Sequence, residues 1–225
     1  MNKPKIVALV PMRHHSQRVP QKNFRPLAGK PLFHYIIETL LNCPEIEKVV
    51  VNTDSEPIMS DLARNFPQVL VFERPQSLRA VDVPMNEILL HDIEHAHADL
   101  YLQTHSTNPL LKAATISDAI QKFTSQSQRY DSLFSVTRWQ TRLWDEHAQP
   151  INHDPMVLLQ TQDLPPIFEE NSCLYIFTAG LLKERHNRIG QKPLLYEVPV
   201  EEAIDIDDES DFLIADLLIQ QRSKS

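Results

Sequence analysis

Short apolar runs alternate along this chain with stretches whose apolar residues return every three to four positions. Residues 5–10 (KIVALV) form a continuous, mostly apolar run, the pattern of a strand buried on both faces. Pro31 then opens a predicted helix to residue 41, in which Leu32, Tyr35, Ile36, Thr39 and Leu40 recur at helical spacing. The same rhythm predicts strands at 47–52, 69–72, 99–103 and 133–137, separated by helices at 56–65, 85–98 and 112–123. Strands alternating with helices of this length imply βαβ units, hence an α/β fold with a mostly parallel sheet flanked by helices. After Thr137 the rhythm stops. Residues 139–170 carry both tryptophans and no clear helical pattern, and are expected to form an inserted arm or β-hairpin. Residues 173–177 (CLYIF) return to the sheet, 194–198 add an edge segment, and 208–221 close with a helix. No repeat, low-complexity tract or linker divides residues 1–225, so one domain carrying an insertion is expected.

Charge and composition narrow the function classes. Twenty-two Lys and Arg against thirty Asp and Glu leave a formal charge of −8, which argues against a nucleic-acid binder. No apolar run approaches a membrane span, and residues 1–5 lack a signal-peptide pattern, so a cytoplasmic protein without a membrane partner is expected. Two cysteines far apart, Cys43 and Cys173, make neither a disulfide framework nor a zinc site. Only three residues are glycine, so any phosphate-binding loop must work without glycine flexibility.

Ligands of such sheets sit outside the carboxyl ends of the strands, which singles out the loop after the first strand. Residues 11–23 read PMRHHSQRVPQKN: Arg13, Arg18 and Lys22 supply cations, and Ser16 and Asn23 supply small donors, a set suited to a polyphosphate. Neither GxxxxGK[ST] nor GxGxxG is present. Near the other end stands Asp205-Ile206-Asp207. In an extended segment residues i and i+2 point the same way, about 6.5–7 Å apart, so both carboxylates can share one cation. Oxygen ligands without His or Cys suit Mg²⁺. On spacing alone this stands level with the start of a helix, where acids favour the N-terminal dipole; Asp208 is the N-cap candidate. His91 and His95 have i, i+4 spacing but lack the HExxH glutamate, so surface histidines are the default.

The run VALVPMRHHSQRVPQKNFRPLAGKPL is similar to the N-terminal signature of the sugar-activating cytidylyltransferases, above all the acylneuraminate (CMP-sialic acid) synthetases. Their pattern reads roughly ARGGSKRIPGKNIRPLAGKPL; Arg13, Ser16, Arg18, Pro20, Lys22, Asn23 and residues 26–31 match. The resemblance continues through VNTDS at 51–55, ERP at 73–75 with Asp82, Leu102-Gln103 with Pro109, Glu170-Asn171, and AIDID at 203–207. It implies a Rossmann-like nucleotidyltransferase fold whose insertion, about 139–170, is a dimerisation arm. It also implies an enzyme that moves CMP from CTP to a sialic-acid-like nonulosonic (2-keto) sugar acid, releasing pyrophosphate. On the matching positions, Arg13, Lys22 and Asp207 would be catalytic, and Arg13, Ser16, Arg18, Lys22, Asn23, Asp82 and Gln103 would hold the nucleotide. Gln103, Arg138, Gln140 and Asn171 would hold the sugar, Asp205 and Asp207 would bind Mg²⁺, and the partner would be a second copy of the chain in a homodimer.

The chain departs from that pattern in places. The paired glycines are His14 and His15, the usual loop lysine is Gln17, and the stretch after Gln103 is two residues longer. Near Asn171, where the family often has an arginine, stand Phe168, Glu169 and Glu170. The alternatives are the same chemistry on an eight-carbon keto-acid, another sugar nucleotidyltransferase, a catalytically silent nucleotide-binding or assembly protein, and a histidine-rich metal binder.

Overall fold

The computed structural model describes residues 3–14, 16 and 19–222. Strand β1 (Ile6–Met12) lies at the heart of the molecule, and all seven of its residues are buried. After it comes a two-stranded hairpin, β2 (Pro26–Leu27) and β3 (Lys30–Pro31). Its turn needs positive φ at both central residues, Ala28 at 45° and Gly29 at 94°, and glycine takes the second at no steric cost. Helix α1 (Leu32–Leu41) follows directly, with Pro31 at its N-cap rather than inside its first turn. Its buried face is Leu32, Phe33, Ile36, Ile37 and Leu40, while Tyr35 and Thr39 send hydroxyls to the carbonyls of Leu27 and Leu111.

The main sheet contains β1, β4 (Ile46–Thr53), β5 (Leu70–Glu73), β6 (Leu100–Thr104), β7 (Ser132–Trp139), β8 (Ile167–Phe177) and β9 (Pro193–Glu197), in the order β5-β4-β1-β6-β8-β7-β9. Its first four strands are parallel, as the βαβ rhythm predicts. Strand β8 departs from that expectation by running antiparallel to both neighbours, so the sheet is mixed. Side-chain alternation along β1 sends Ala8, Val10 and Met12 to the core under α1, α2 (Glu56–Asn65) and α4 (Ala113–Ser125). Val7 and Leu9 enter the opposite core, with α3 (Met85–His95) and α5 (Ala179–Arg185). A third, smaller core joins Leu27, Leu32, Leu110 and Ile206 to Phe212, Ala215 and Ile219 of α6 (Glu209–Arg222).

Both ends of the stretch 139–170, read from the sequence as an inserted arm or β-hairpin, are strand. Strand β7 continues to Trp139 and β8 already begins at Ile167, so the irregular connection is 140–166, with one isolated bridge between Trp144 and Pro150. Met156 and Leu158 on it are each 90% exposed. Two elements carry no strong signal in the sequence: the short hairpin, and α5, whose cap Thr178 accepts from the Leu181 amide at 3.2 Å. Just beyond α5, a Cβ built on Gly190 would stand 2.1 Å from Oδ1 of Asp131, whose carboxylate accepts from the amides of Gln191 and Lys192. Gly190→Ala is therefore expected to destabilise by about 1–3 kcal/mol, read as a lower denaturant midpoint at unchanged slope.

Candidate active site

The carboxyl end of β1 delivers Arg13, Ser16, Lys22 and Asn23 to the wall of a pocket of about 230 Å³, with Met12, His105 and Ser106 completing it. Asn23 ties this loop down: its Nδ2 donates to the Arg13 carbonyl at 3.0 Å, and its Oδ1 accepts from Ser106 Oγ at 2.7 Å. The Arg13 guanidinium donates to the carbonyls of Val81 and Val83 at 3.1 and 3.5 Å, which flank the exposed Asp82. Arg18, with His15 and Gln17, lies outside the described residues. His14 closes the loop onto the end of β4, its amide donating to Asp54 Oδ1 at 2.8 Å and its Nδ1 2.7 Å from Ser55 Oγ.

The acidic pair faces this loop. Ile206 is buried in the third core, which turns Asp205 and Asp207 outward on either side of it. The segment is held by the Ile206 amide on the Thr107 carbonyl at 2.9 Å, and by Glu202, 2% exposed, which accepts from the Lys112 amide and Thr115 Oγ1 at the start of α4. Asp208 takes the cap instead: it accepts from the amides of Ser210 and Asp211, and Asp211 returns the bond to the Asp208 amide, a reciprocal box that starts α6. That leaves Asp205 and Asp207 to a second cavity of about 450 Å³, whose wall also includes Thr137, Glu169, Glu170 and Asn171. Lys22, on the wall of the smaller pocket, reaches the acidic segment, its ammonium donating to the Ile206 carbonyl and standing 3.7 Å from Asp207 Oδ1.

Burial pushes the Asp205 carboxyl upward, with the charge of Asp207 adding to the effect and a Thr107 hydrogen bond opposing it. Its Oδ1 is buried with no partner among the described residues. An orphaned carboxylate oxygen beside a second carboxylate is a donor set that fits Mg²⁺, which keeps several waters and takes the rest of its shell from substrate phosphates. No group of three or more His, Cys, Asp or Glu that could hold a metal is present among the described residues, so the pair would share the ion with substrate rather than enclose it. His91 and His95 stack at 4.4 Å without gathering such a group.

The proposed sugar residues lie in different places. Asn171 borders the larger cavity, but its side chain is engaged at a bulge between β7 and β8: Oδ1 accepts from Ser135 Oγ at 2.6 Å and Nδ2 donates to Thr137 Oγ1 at 3.1 Å. Arg138 alternates to the opposite side of β7 from Thr137 and Trp139, which line the cavity, and its guanidinium donates to Gln140 at 2.7 Å. Gln140 in turn binds carbonyls of the arm, Gln162 and Leu164. Gln103 is fully buried behind the cavity walls, not on them. The sequence reading missed three participants. Arg74, 1% exposed, braces the carbonyls of Met12 and Asn52 under the loop after β1. Arg188 reaches Gln103 from beyond α5, and His105 sits in the stretch that is two residues longer than the family pattern. Arg74 stands in the ERP stretch that resembles the family pattern, but the contacts of all three are set by the tertiary fold.

No helix among the described residues is long and apolar enough to cross a membrane. The chain is 31% identical to CMP-N,N'-diacetyllegionaminic acid synthase of Legionella pneumophila, over 96% of this chain and 97% of that one. It is 28% identical to N-acylneuraminate cytidylyltransferase A of Danio rerio over 94% of this chain, but spans only 50% of that protein, about half its length. A solved CMP:2-keto-3-deoxy-manno-octonic acid synthetase complexed with CTP shares the fold at a TM-score of 0.72 and 13% identity, covering 97% of this chain and 99% of that one. Such neighbours support a Rossmann-like α/β nucleotidyltransferase fold with a mixed sheet. The model of the cytidylyltransferase family matches residues 7–214, which takes in the basic loop, the buried Gln103 and the acidic pair, and the chain belongs to that family.

Proposed function

We propose that this protein transfers CMP from CTP to a sialic-acid-like nonulosonic acid and releases pyrophosphate, with Mg²⁺ held by Asp205 and Asp207. The observation that carries this reading is Lys22, on the wall of the cation-lined pocket, in contact with the carbonyl between the two aspartates that border the acid-lined cavity. Arg13, Lys22, Ser16 and Asn23 would hold the triphosphate, together with Arg18 of the same loop. Asp82, exposed between the two carbonyls that Arg13 holds, would border the nucleotide. The sugar's anomeric oxygen would bond to the α-phosphorus as the bond to pyrophosphate breaks, and the hydroxyl proton would leave to a nearby base. Bound Mg²⁺ would neutralise charge on the phosphates. Lys22, beside the aspartates, would help neutralise the charge that develops on the leaving pyrophosphate.

Relatives named for N-acylneuraminate, N,N'-diacetyllegionaminic acid and pseudaminic acid favour a nonulosonic acid as acceptor. The larger cavity contributes Glu169, Glu170, Asp205 and Asp207 and no Lys or Arg among its lining residues. An acidic sugar there needs cations from elsewhere: the metal, Lys22, or the arm of a second copy in a homodimer. Arg138 and Gln140, turned away from their own cavity, are suited to that last role. Asn171 would shape the sugar wall through its bulge, and Gln103 would act from behind it.

The test is pyrophosphate release with Mg²⁺, CTP and a panel of nonulosonic and eight-carbon keto-acids. Release with a nonulosonic acid, abolished by chelator and reduced at least a hundredfold in Asp207→Asn, is expected. Release with an eight-carbon acid alone would move the substrate. CTP binding with no release across the panel would replace the enzyme by a nucleotide-binding subunit.

A further inference from the structure

Behind the nucleotide pocket, three polar side chains form a relay whose donor pattern can be worked out one atom at a time. Arg188 Nη1 lies 2.6 Å from Gln103 Oε1, and its guanidinium stacks on Tyr175 at 3.6 Å. Arginine only donates, so Gln103 must turn its carbonyl oxygen to Arg188 and its amide nitrogen the other way. That nitrogen donates to the Thr104 carbonyl at 3.0 Å and approaches His105 Nε2 at 3.1 Å. Since the amide nitrogen cannot accept, His105 Nε2 must be the unprotonated, accepting nitrogen. The imidazole proton is therefore on Nδ1, which has no hydrogen-bond partner among the described residues, and His105 belongs to the pocket wall with Arg13, Lys22 and Asn23.

We propose that His105 is a further nucleotide-site residue: a neutral imidazole, held as the Nδ1–H tautomer by the Arg188–Gln103 relay, that donates a hydrogen bond to an anionic oxygen of the bound nucleotide. The inference rests on the proposed CTP-dependent reaction. Burial first, then the charges of Arg188 and Lys22, push its pKa down to about 4, so it stays neutral through the physiological range. A neutral donor has a physical advantage here. It adds a directed bond to a pocket that already holds Arg13 and Lys22, without a third buried positive charge to repel them.

Two measurements test this. In the ¹⁵N spectrum of the histidines, the His105 ring is expected as the Nδ1–H tautomer with no titration above pH 5, and Arg188→Met should convert it to a mixture of tautomers. In calorimetry with Mg²⁺ and CTP, His105→Phe should weaken binding about tenfold, and His105→Gln similarly. His105→Asn, whose amide can place a donor where Nδ1–H was, should stay within about threefold of wild type. An Nε2–H tautomer in the wild type, or full CTP affinity in His105→Phe, would overturn the proposal while leaving the proposed function standing. A wild-type protein that binds no CTP would instead remove the proposed function, and the tautomer would still be read from the spectrum.

Discussion

Asp205→Asn is expected to lower turnover by on the order of 10²–10³-fold and, in the same protein, to raise the unfolding midpoint at neutral pH. The two effects have one cause. The carboxylate is held largely out of water with Oδ1 unpartnered, and its pKa is raised by burial. A carboxyl whose folded pKa exceeds its unfolded one contributes full stability below the unfolded value, about pH 4, and loses it as pH rises through the folded value. At pH 7.5 the ionised Asp205 therefore costs stability, and asparagine, which cannot ionise, relieves that cost. Thermal unfolding in chelator at pH 7.5 and at pH 4 should show the variant ahead at the first and level at the second. Turnover measured by pyrophosphate release should fall because an amide gives Mg²⁺ a neutral and weaker ligand. A variant less stable than wild type at pH 7.5 would mean that the carboxylate is a structural partner of Thr107 rather than a group kept for a ligand.

How much of this the sequence discloses follows from what each signal depends on. Strand β1, α2 and the Asp208 cap are local features, set by an aliphatic run, by Ser55 ahead of Glu56-Pro57, and by acids at N-cap and N3 positions, and the structure has them where the pattern puts them. The gathering of Arg13, Lys22 and Asn23 at the end of β1 follows from the rule for ligand sites in such sheets. Strand β8 was only half visible because its first residues, Ile167 to Asn171, include three polar ones that pair with the outer end of β7, a choice made by the neighbour and not by propensity. Its antiparallel direction follows from the arm, which brings the chain back beside β7 as a long hairpin. Asn171 illustrates the limit for site residues. Its type and motif point to a ligand, while its two polar atoms are already taken up in the bulge. Gln103 and His105 stand two residues apart, yet the end of β6 at Thr104 separates them, so that one is buried in the sheet and the other lies on the pocket wall. Asn52, Arg74 and Asp92 are far apart in sequence, and tertiary contacts alone reveal them as one buried cluster.

That cluster carries the largest stability effect expected in the molecule. Arg74 Nε donates to Asn52 Oδ1 at 2.8 Å, Asn52 Nδ2 donates to Asp92 Oδ1, and Arg74 Nη2 holds the carbonyls of Met12 and Asn52 at 3.1 and 3.0 Å. Burial pushes the Arg74 guanidinium down and the Asp92 carboxyl up; Asn52 bridges the two, and His91 Nδ1 stands 3.2 Å from Asp92 Oδ1. Arg74→Met keeps the volume but removes a positive charge near Asp92, one of whose oxygens has no partner among the described residues, and leaves Asn52 Oδ1 and the two carbonyls without their donor. Leaving buried acceptors without their donor costs about 1–3 kcal/mol each, so a loss of about 3–5 kcal/mol, a large share of a domain's 5–15 kcal/mol, is expected. The sign of the pH dependence follows from Asp92. With its folded pKa above the unfolded one, its contribution is present at low pH and lost as pH rises, and losing Arg74 raises that folded value further. The deficit of Arg74→Met in denaturant midpoint should therefore be smaller at pH 5 than at pH 8, and Arg74→Met with Asp92→Asn should recover part of it at pH 8. Because Met12 immediately precedes Arg13, CTP affinity should fall along with stability even at temperatures where the variant is folded. An Arg74→Met protein as stable as wild type at both pH values would show that the cluster fills space without holding the strand ends, and the loop after β1 would then owe its position to its other contacts, among them Asn23 and Asp54.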